Sequence, residues 1–376
     1  MVRKSHRDLL FLILNSGSSS VKYSLFRAIK IFIDRKERDL VPVTSGQIER
    51  IGQQGSKIKN HKQAIKKIIT DLSSNNRSFK SIDAVGHRVV HGGEYFRKAT
   101  LVNREVLNKI RDCATLAPLH NPANISGIEA CQELLPKAPQ VAVFDTAFHQ
   151  TIPPRAYLYA LPYKYYIKYH LRKYGFHGMS HRYVAREAAK ILKRPLNQLK
   201  LITCHLGNGC SICAIKNGIS LDTSMGFTPL AGLVMGTRSG DVDPAAVLYI
   251  MEKEKLTPFQ MEEILNKQSG LKGISGISND MRVIEKAAKK NNKRAKIALG
   301  LFAFSLRKYI GSYIAIMGGV DAIIFTAGIG ENQDIRKMIT YGGLKSFLNK
   351  LNAKTLVIHT NEELVIAQEI IKIIGG

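Results

Sequence analysis

Acidic residues are scarce in this sequence: 29 Asp and Glu stand against 56 Lys and Arg, a formal net charge of +27. Such a balance suits nucleic acid or an acidic membrane surface. The excess is scattered, however, with one denser stretch at Lys286–Lys296, and no zinc-finger, recognition-helix or RNA-binding signature accompanies it. The charge is read as a solvated surface that also draws in anionic substrates, and no specific nucleic-acid partner is expected. Cysteine is scarce too. The five thiols at 113, 131, 204, 210 and 213 are odd in number and irregular in spacing, in a chain of 376 residues, which excludes a disulfide scaffold. Cys210-x-x-Cys213 has no second pair to complete a zinc site. It lies in an alternating strand pattern, so buried thiols in a reducing, cytoplasmic compartment are expected. Long unbroken apolar runs are missing as well. Leu9–Leu14 imitates a signal peptide but stops at Asn15-Ser16-Gly17, short of a normal apolar core. Ile310–Gly330 imitates a membrane span, yet Gly318-Gly319 and Asp321 break it into a helix end, a turn and a buried strand. No membrane association is expected. The 45% hydrophobic and 23% charged content is that of a globular protein long enough for two or three domains.

What is present repeats itself. Leu9–Leu14 reads as a buried strand, Asn15–Ser20 as a tight polar turn, and Val21–Phe26 as a half-buried return strand. Half a chain later Leu199–Cys204, His205–Gly209 and Cys210–Ile215 follow the same plan. Helices are expected over Ser180–Leu192 with Ser180 as N-cap, from Asp243-Pro244 to about Lys255, and over about Arg294–Met317 ended by Gly318-Gly319. Val320–Thr326 is a buried strand, and a last helix opens at Thr360–Glu363. The pattern predicts an α/β fold of two duplicated domains, with ligands at the strand ends in a cleft between the halves.

The chemistry-bearing residues cluster beside glycines. No Walker A and no G-x-G-x-x-G occurs. Instead the Asn15–Ser20 turn, with Lys22 just beyond, offers backbone N–H groups, hydroxyls and a cation to an anion. In His205–Gly209 the glycines let a phosphate approach. Gly86–Gly93 carries Arg88 and histidines, Tyr174–His181 puts His177 before a helix N-terminus, and Met235–Pro244 carries Arg238. His177 and His181 show an H-x-x-x-H spacing without an evident carboxylate or cysteine partner, so no zinc is expected.

Together these segments resemble the acetokinase family, in the actin-like (ribonuclease H-like) superfamily of acetate and sugar kinases. The resemblance rests on LILNSGSSSVKYSLF, GHRVVHGGEYF, LAPLHNPANISGIEA, VFDTAFHQTIP, YGFHGMSHRYV, HLGNGCSICAI, DTSMGFTPLAGLVMGTRSGDVDP, FTAGIGEN and TNEELVIA, in order from near residue 10 to near 368. It implies reversible phosphoryl transfer from ATP to acetate, with Mg²⁺ (or Mn²⁺) organised by Asn15 and Glu362. Asp145, His177, Arg238, Arg88 and His120 are the catalytic positions it implies. It places Val90, Leu119, Phe176 and Pro229 at the lining of the methyl pocket. The ATP-binding positions are Ser18, Ser20 and Lys22, then His205, Leu206, Gly207, Asn208 and Gly209, then Asp280, Met281 and Arg282, then Gly328, Ile329, Gly330, Glu331 and Asn332. The resemblance also implies a homodimer. The chain departs from the family pattern at Met179, at Ser278–Val283, at Cys210 and Cys213, and in a shorter segment from Asn332 to Thr360.

Physical chemistry agrees with these roles. Acetate is ionised at neutral pH and needs no strong base; the obstacle is bringing one anion to another, which arginines and a metal offset. Asp145 is therefore expected to orient an arginine or a metal-bound water rather than accept a proton. Thr360-x-x-Glu363 reads as a capping box, leaving Glu362 for the metal. Asp280–Arg282 reads equally well as a helix-end pair. Val90 favours acetate over longer acids, by only about 1–3 kcal/mol per methylene. The expected domains are residues 1–147 plus 364–376, and 148–363 as the nucleotide-binding half. A propionate or other short-chain acyl kinase, and a non-catalytic basic binding protein, are the competing readings.

Overall fold

The computed structural model describes residues 8–30, 38–75, 81–118 and 120–375. The chain divides into two compact units, Met1–Ala147 with Asn361–Gly376, and Phe148–Thr360.

The first unit is built on β1 (Leu9–Ser16), β2 (Val21–Lys30), β3 (Arg38–Ile48), β4 (Ala84–Val89), β5 (Thr100–Leu101) and β6 (Gln140–Phe144), in the order β3-β2-β1-β4-β6-β5. β1 to β3 form an antiparallel meander, and β4 and β6 run parallel to β1. β1 is apolar at nearly every position because it is central and covered on both faces. Leu10, Leu12 and Leu14 pack with Ile65 and Ile68 of helix His61–Asn75 and with Ala130 of helix Asn121–Leu134. Phe11 and Ile13 alternate to the opposite face, where helix Glu362–Ile374 lies on Gly86 of β4. A Cβ at Gly86 would come 2.3 Å from Ile366 Cγ2 and 2.9 Å from Ile370 Cδ1. Gly86→Ala is expected to push the helix away and destabilise the protein by about 1–3 kcal/mol. Urea denaturation reads this as a lower midpoint, and an unchanged midpoint would refute the tight contact.

The second unit repeats the plan with β7 (Lys200–Leu206), β8 (Cys210–Lys216), β9 (Ile219–Thr223), β10 (Ala322–Thr326) and β11 (Lys354–Val357), in the order β11-β10-β7-β8-β9. Again three antiparallel strands are followed, on the far side of the first, by two parallel ones. This is the duplicated actin-like α/β architecture. Helix Gly178–Leu192 sets Val184, Ala185 and Ala188 on Leu201, Cys213 and Ile324. Helix Pro244–Lys253 starts as its Asp-Pro predicts, Asp243 Oδ1 accepting from the Ala245 N–H at 2.9 Å. Helix Lys293–Met317 is capped by Asn292 and ended by Gly318 at φ 68°. Among the described residues no helix is long and apolar enough to cross a membrane. All five cysteines are buried and free, and burial pushes the Cys113, Cys131 and Cys210 thiols up to about 12.

Two helix starts differ from the sequence expectation. Ser180 is not a cap: the helix begins at Gly178, and the Ser180 hydroxyl lies 2.8 Å from His205 Nδ1 instead. The Thr360–Glu363 capping box does not form either. Asn361, one residue closer to the helix, accepts from the Leu364 N–H at 2.9 Å, while Thr360 Oγ1 is buried without a partner among the described residues. Glu363 therefore has no capping duty.

Two buried histidines tie stability to pH. Burial lowers the pKa of His87 to about 4, against a bond to Gln140, and that of His149 to about 4, against a bond to the Phe176 carbonyl. The folded values lie below the unfolded value of 6.5. Their stabilising contribution is therefore complete above pH 6.5 and is lost as pH falls toward 4. At about pH 5 each costs on the order of 2 kcal/mol. Urea midpoints should fall steeply between neutral pH and about pH 5; a flat profile would contradict the neutral assignment.

Candidate active site

In the first unit the site forms where parallel strands end. Register sets Arg88 of β4 opposite Val143 of β6, and Asp145 follows directly after β6. Arg88 Nε donates to Asp145 Oδ1 at 3.0 Å and Oδ2 at 3.2 Å, and its Nη2 donates to Oδ2 at 2.7 Å. Both oxygens of the 2%-exposed Asp145 carboxylate thus serve the guanidinium. Glu362 Oε2, in the first turn of helix Glu362–Ile374, lies 3.8 Å from Arg88 Nε. Burial alone would lower the Arg88 pKa, but Asp145 and Glu362 outweigh it and hold it raised. Burial pushes the Asp145 pKa up, Arg88 pulls it down, Glu362 adds to the rise, and His120 opposes it.

Asn15, at the end of β1, pairs across the hairpin with Lys22 of β2. Asn15, Lys22, Arg88, Glu362 and Glu363 line one recess. The Gly17 N–H donates to the Ser20 carbonyl at 2.8 Å, closing the hairpin turn with Ser18 exposed on it. His120 occupies the cap position of helix Asn121–Leu134. The Val90 N–H donates to Asn124 Oδ1 at 3.0 Å, and Leu119 lies outside the described residues. Sequence reasoning missed Asn121 and Asn124. Both are buried: Asn121 takes the His91 N–H and donates to the His91 carbonyl, and Asn124 bridges Val90 to the Ser16 carbonyl. They hold the loop after Arg88.

In the second unit His177, at φ 56°, stands at the start of helix Gly178–Leu192, with its ring stacked 4.1 Å from that of His205. A Cβ on Gly209 would meet Arg238 Nη1 at 3.3 Å and His177 Cε1 at 3.4 Å, so these three converge on one face of the β7–β8 hairpin. Arg238 Nη1 donates to the Pro229 carbonyl at 3.3 Å and to Met235 Sδ at 3.8 Å. Among the described residues no carboxylate pairs with it. Burial lowers its pKa, with Cys210 pulling the other way. The carbonyl of buried Phe176 lies 3.0 Å from His149 Nε2.

The remaining nucleotide candidates divide. The Gly207 N–H donates to the Gly209 carbonyl at 3.1 Å, Leu206 is buried beneath the turn, and Asn208 Oδ1 accepts from Asn279 Nδ2 at 3.3 Å. The Asn208 side chain thus ties the hairpin to the Asn279–Asp280 corner. Asp280 caps helix Met281–Lys289, and Arg282, exposed at 86%, folds back on it with Nη2 at 2.6 Å. Arg282 pairs with its own helix cap, and Met281 is buried. Ala327–Gly330 forms a helical turn after β10, with Ala327 at φ 63°. Gly328 and Ile329 lie in that turn, and Gly330 sits against Leu206 and the Cys204 carbonyl. Asn332 caps helix Gln333–Thr340, and Glu331 pairs with His359 at 2.9 Å.

The acetokinase family profile matches residues 10–368. An acetate kinase of Caldicellulosiruptor saccharolyticus is 53% identical over 95% of this chain and 98% of its own. Among solved structures, Porphyromonas gingivalis acetate kinase superposes with a TM-score of 0.89 at 41% identity, covering 97% of this chain and all of its own. A propionate kinase from Francisella tularensis superposes at 0.82 with 43% identity, covering 96% and 98%. With the profile spanning nearly the whole chain and both hairpins inside it, this chain belongs to the acetokinase family.

Proposed function

We propose that the chain is an ATP:acetate phosphotransferase, passing the γ-phosphoryl group reversibly and in line between ATP and the carboxylate of acetate. The observation that carries this reading is Arg238, a half-buried guanidinium with no carboxylate partner among the described residues, converging with His177 on a glycine hairpin. A cation left open in that way is built for a ligand's negative charge. The β7–β8 hairpin and the Ala327–Asn332 turn receive the nucleotide, and Arg238 and His177 stabilise charge on the equatorial oxygens.

In the first unit Arg88 takes the acetate carboxylate or the phosphoryl group. Asp145 orients that guanidinium through both oxygens, a role that needs no proton acceptor. Val90, two residues after Arg88, is the proposed contact of this unit with the acetate methyl. The donor set fits Mg²⁺: Glu362 offers a carboxylate and Asn15 an amide in one recess, and Mg²⁺ takes few protein ligands, keeping water and phosphate oxygens. When bound, it neutralises the β/γ oxygens. Helix Pro244–Lys253 buries none of its side chains and exposes Leu248, Tyr249 and Ile250, which supports a homodimer. The proposed setting is the cytoplasm.

The 43% identity to a propionate kinase favours a second reading on the same chemistry, with propionate as acceptor. Trapping acyl phosphate with hydroxylamine, in Mg²⁺-ATP with acetate or propionate, tests both. A kcat/KM for acetate well above that for propionate is the expected result. The reverse ratio would assign propionate, and no product with either acid from folded protein would refute phosphoryl transfer to these carboxylates.

A further inference from the structure

His177 holds a backbone conformation that residues with a side chain seldom adopt, φ 56°. A chain of buried polar groups stands behind it. Its Nδ1 lies 2.9 Å from Ser211 Oγ, that oxygen lies 2.8 Å from His181 Nε2, and His181 Nδ1 lies 2.7 Å from Thr203 Oγ1. Ser211, His181 and Thr203 are fully buried, out of reach of water, and among the described residues these contacts are the ones their side-chain polar atoms make.

Counting the hydrogens fixes their order. Burial, with His149 and His205 nearby, pushes the His181 pKa well below its usual value. The ring is neutral, with one nitrogen donating and the other accepting. If Nδ1 carried the proton it would donate to Thr203, and the Thr203 hydroxyl hydrogen would be buried with no acceptor among the described residues. With the proton on Nε2, each hydrogen finds one. Thr203 O–H donates to His181 Nδ1, His181 Nε2–H donates to Ser211 Oγ, and Ser211 O–H donates to His177 Nδ1. A neutral His177 then carries its own proton on Nε2. That nitrogen would lie 3.6 Å from a Cβ on Gly209, on the face shared with Arg238. His149 steadies the same corner: its Nε2 lies 3.0 Å from the Phe176 carbonyl, which can only accept, so Nε2 donates there while Nδ1 accepts from Ser220 Oγ at 2.8 Å.

We infer that Ser211 is a positioning residue which, with His181 and Thr203 behind it, holds His177 as the Nε2–H tautomer and so turns a hydrogen-bond donor toward Gly209 and Arg238. The inference rests on the proposed function for its purpose. A donor there meets phosphoryl oxygens, whereas the other tautomer would offer them a lone pair. The inner groups never touch substrate; they act through His177.

The test labels the histidines with ¹⁵N and records long-range nitrogen–proton correlations at about pH 8, above the ordinary range of histidine. His177 is identified by the signals lost in His177→Gln. The expected wild-type pattern is a protonated Nε2 and a bare Nδ1. Ser211→Ala, a small truncation, should mix the tautomers and lower kcat by about ten- to a hundredfold with little change in KM for ATP. Thr203→Val, nearly isosteric, should act in the same direction. A wild-type ring protonated on Nδ1, a tautomer indifferent to Ser211→Ala, or a shifted tautomer with unchanged kcat would each overturn the inference. If the tautomer is as inferred in a protein that transfers no phosphoryl group, the proposed function fails while the proton order stands.

Discussion

Replacing Arg238 by alanine lowers kcat for acetyl phosphate formation by about a thousandfold, the scale set by single charge-stabilising donors and arginine fingers. Stability should barely change. Among the described residues Arg238 bonds a carbonyl and a thioether and pairs with no carboxylate, so the expected cost of its loss is below about 1 kcal/mol. Arg238→Lys restores the charge but not the planar fork, and should recover only part of the rate. Turnover and thermal melting on the same preparations decide the matter. A folded alanine variant within about tenfold of the parent rate would remove Arg238 from the transition state.

Arg88 should behave in the opposite way, losing fold and function together. Arg88→Met strands the 2%-exposed carboxylate of Asp145 beside Glu362. Breaking a buried pair from one side costs about 3–5 kcal/mol. Adding Asp145→Leu removes the stranded charge and should return most of the stability, since an apolar pair of similar volume often replaces a buried ion pair without loss. It should return none of the activity. Urea denaturation of the two single variants and the double variant, with kcat measured on each, tests this. A double variant no more stable than Arg88→Met would show that the pair is not an energetic unit.

The separate fates of these arginines show what local sequence makes legible. The hairpins at Asn15–Lys22 and His205–Gly209 could be read because glycine, hydroxyls and alternation are neighbours in the chain. Asp243-Pro244 and Gly318 marked their helix ends for the same reason. Asn361 was missed because Thr360 also satisfies the capping spacing, and only the folded geometry chooses between adjacent caps. Ser180 read as a cap until His205, 25 residues away, claimed its hydroxyl. Arg88 stood out beside its glycines and Asp145 only through the family resemblance, and their pairing depends on the β4–β6 register. Asn121 and Asn124 could have been singled out, since buried amides three residues apart on one helix face must bond something. Ser211 carried no signal, because a serine in an apolar strand takes its meaning from partners brought in by tertiary structure.

The helix lying on Gly86 has a consequence for the order of events during synthesis. The first unit opens with β1 but is completed only by residues following Asn361. A ribosome therefore delivers every strand of the first sheet, then the whole of Phe148–Thr360, before Ile366 and Ile370 can cover the exposed apolar face of β1 and β4. Until then that face is a place for chaperones or for other nascent chains to bind. Glu362 comes with the same closing helix, so the recess that holds Arg88 and Asn15 receives its carboxylate at the moment the first unit becomes stable. An unfinished chain lacks that carboxylate in the recess.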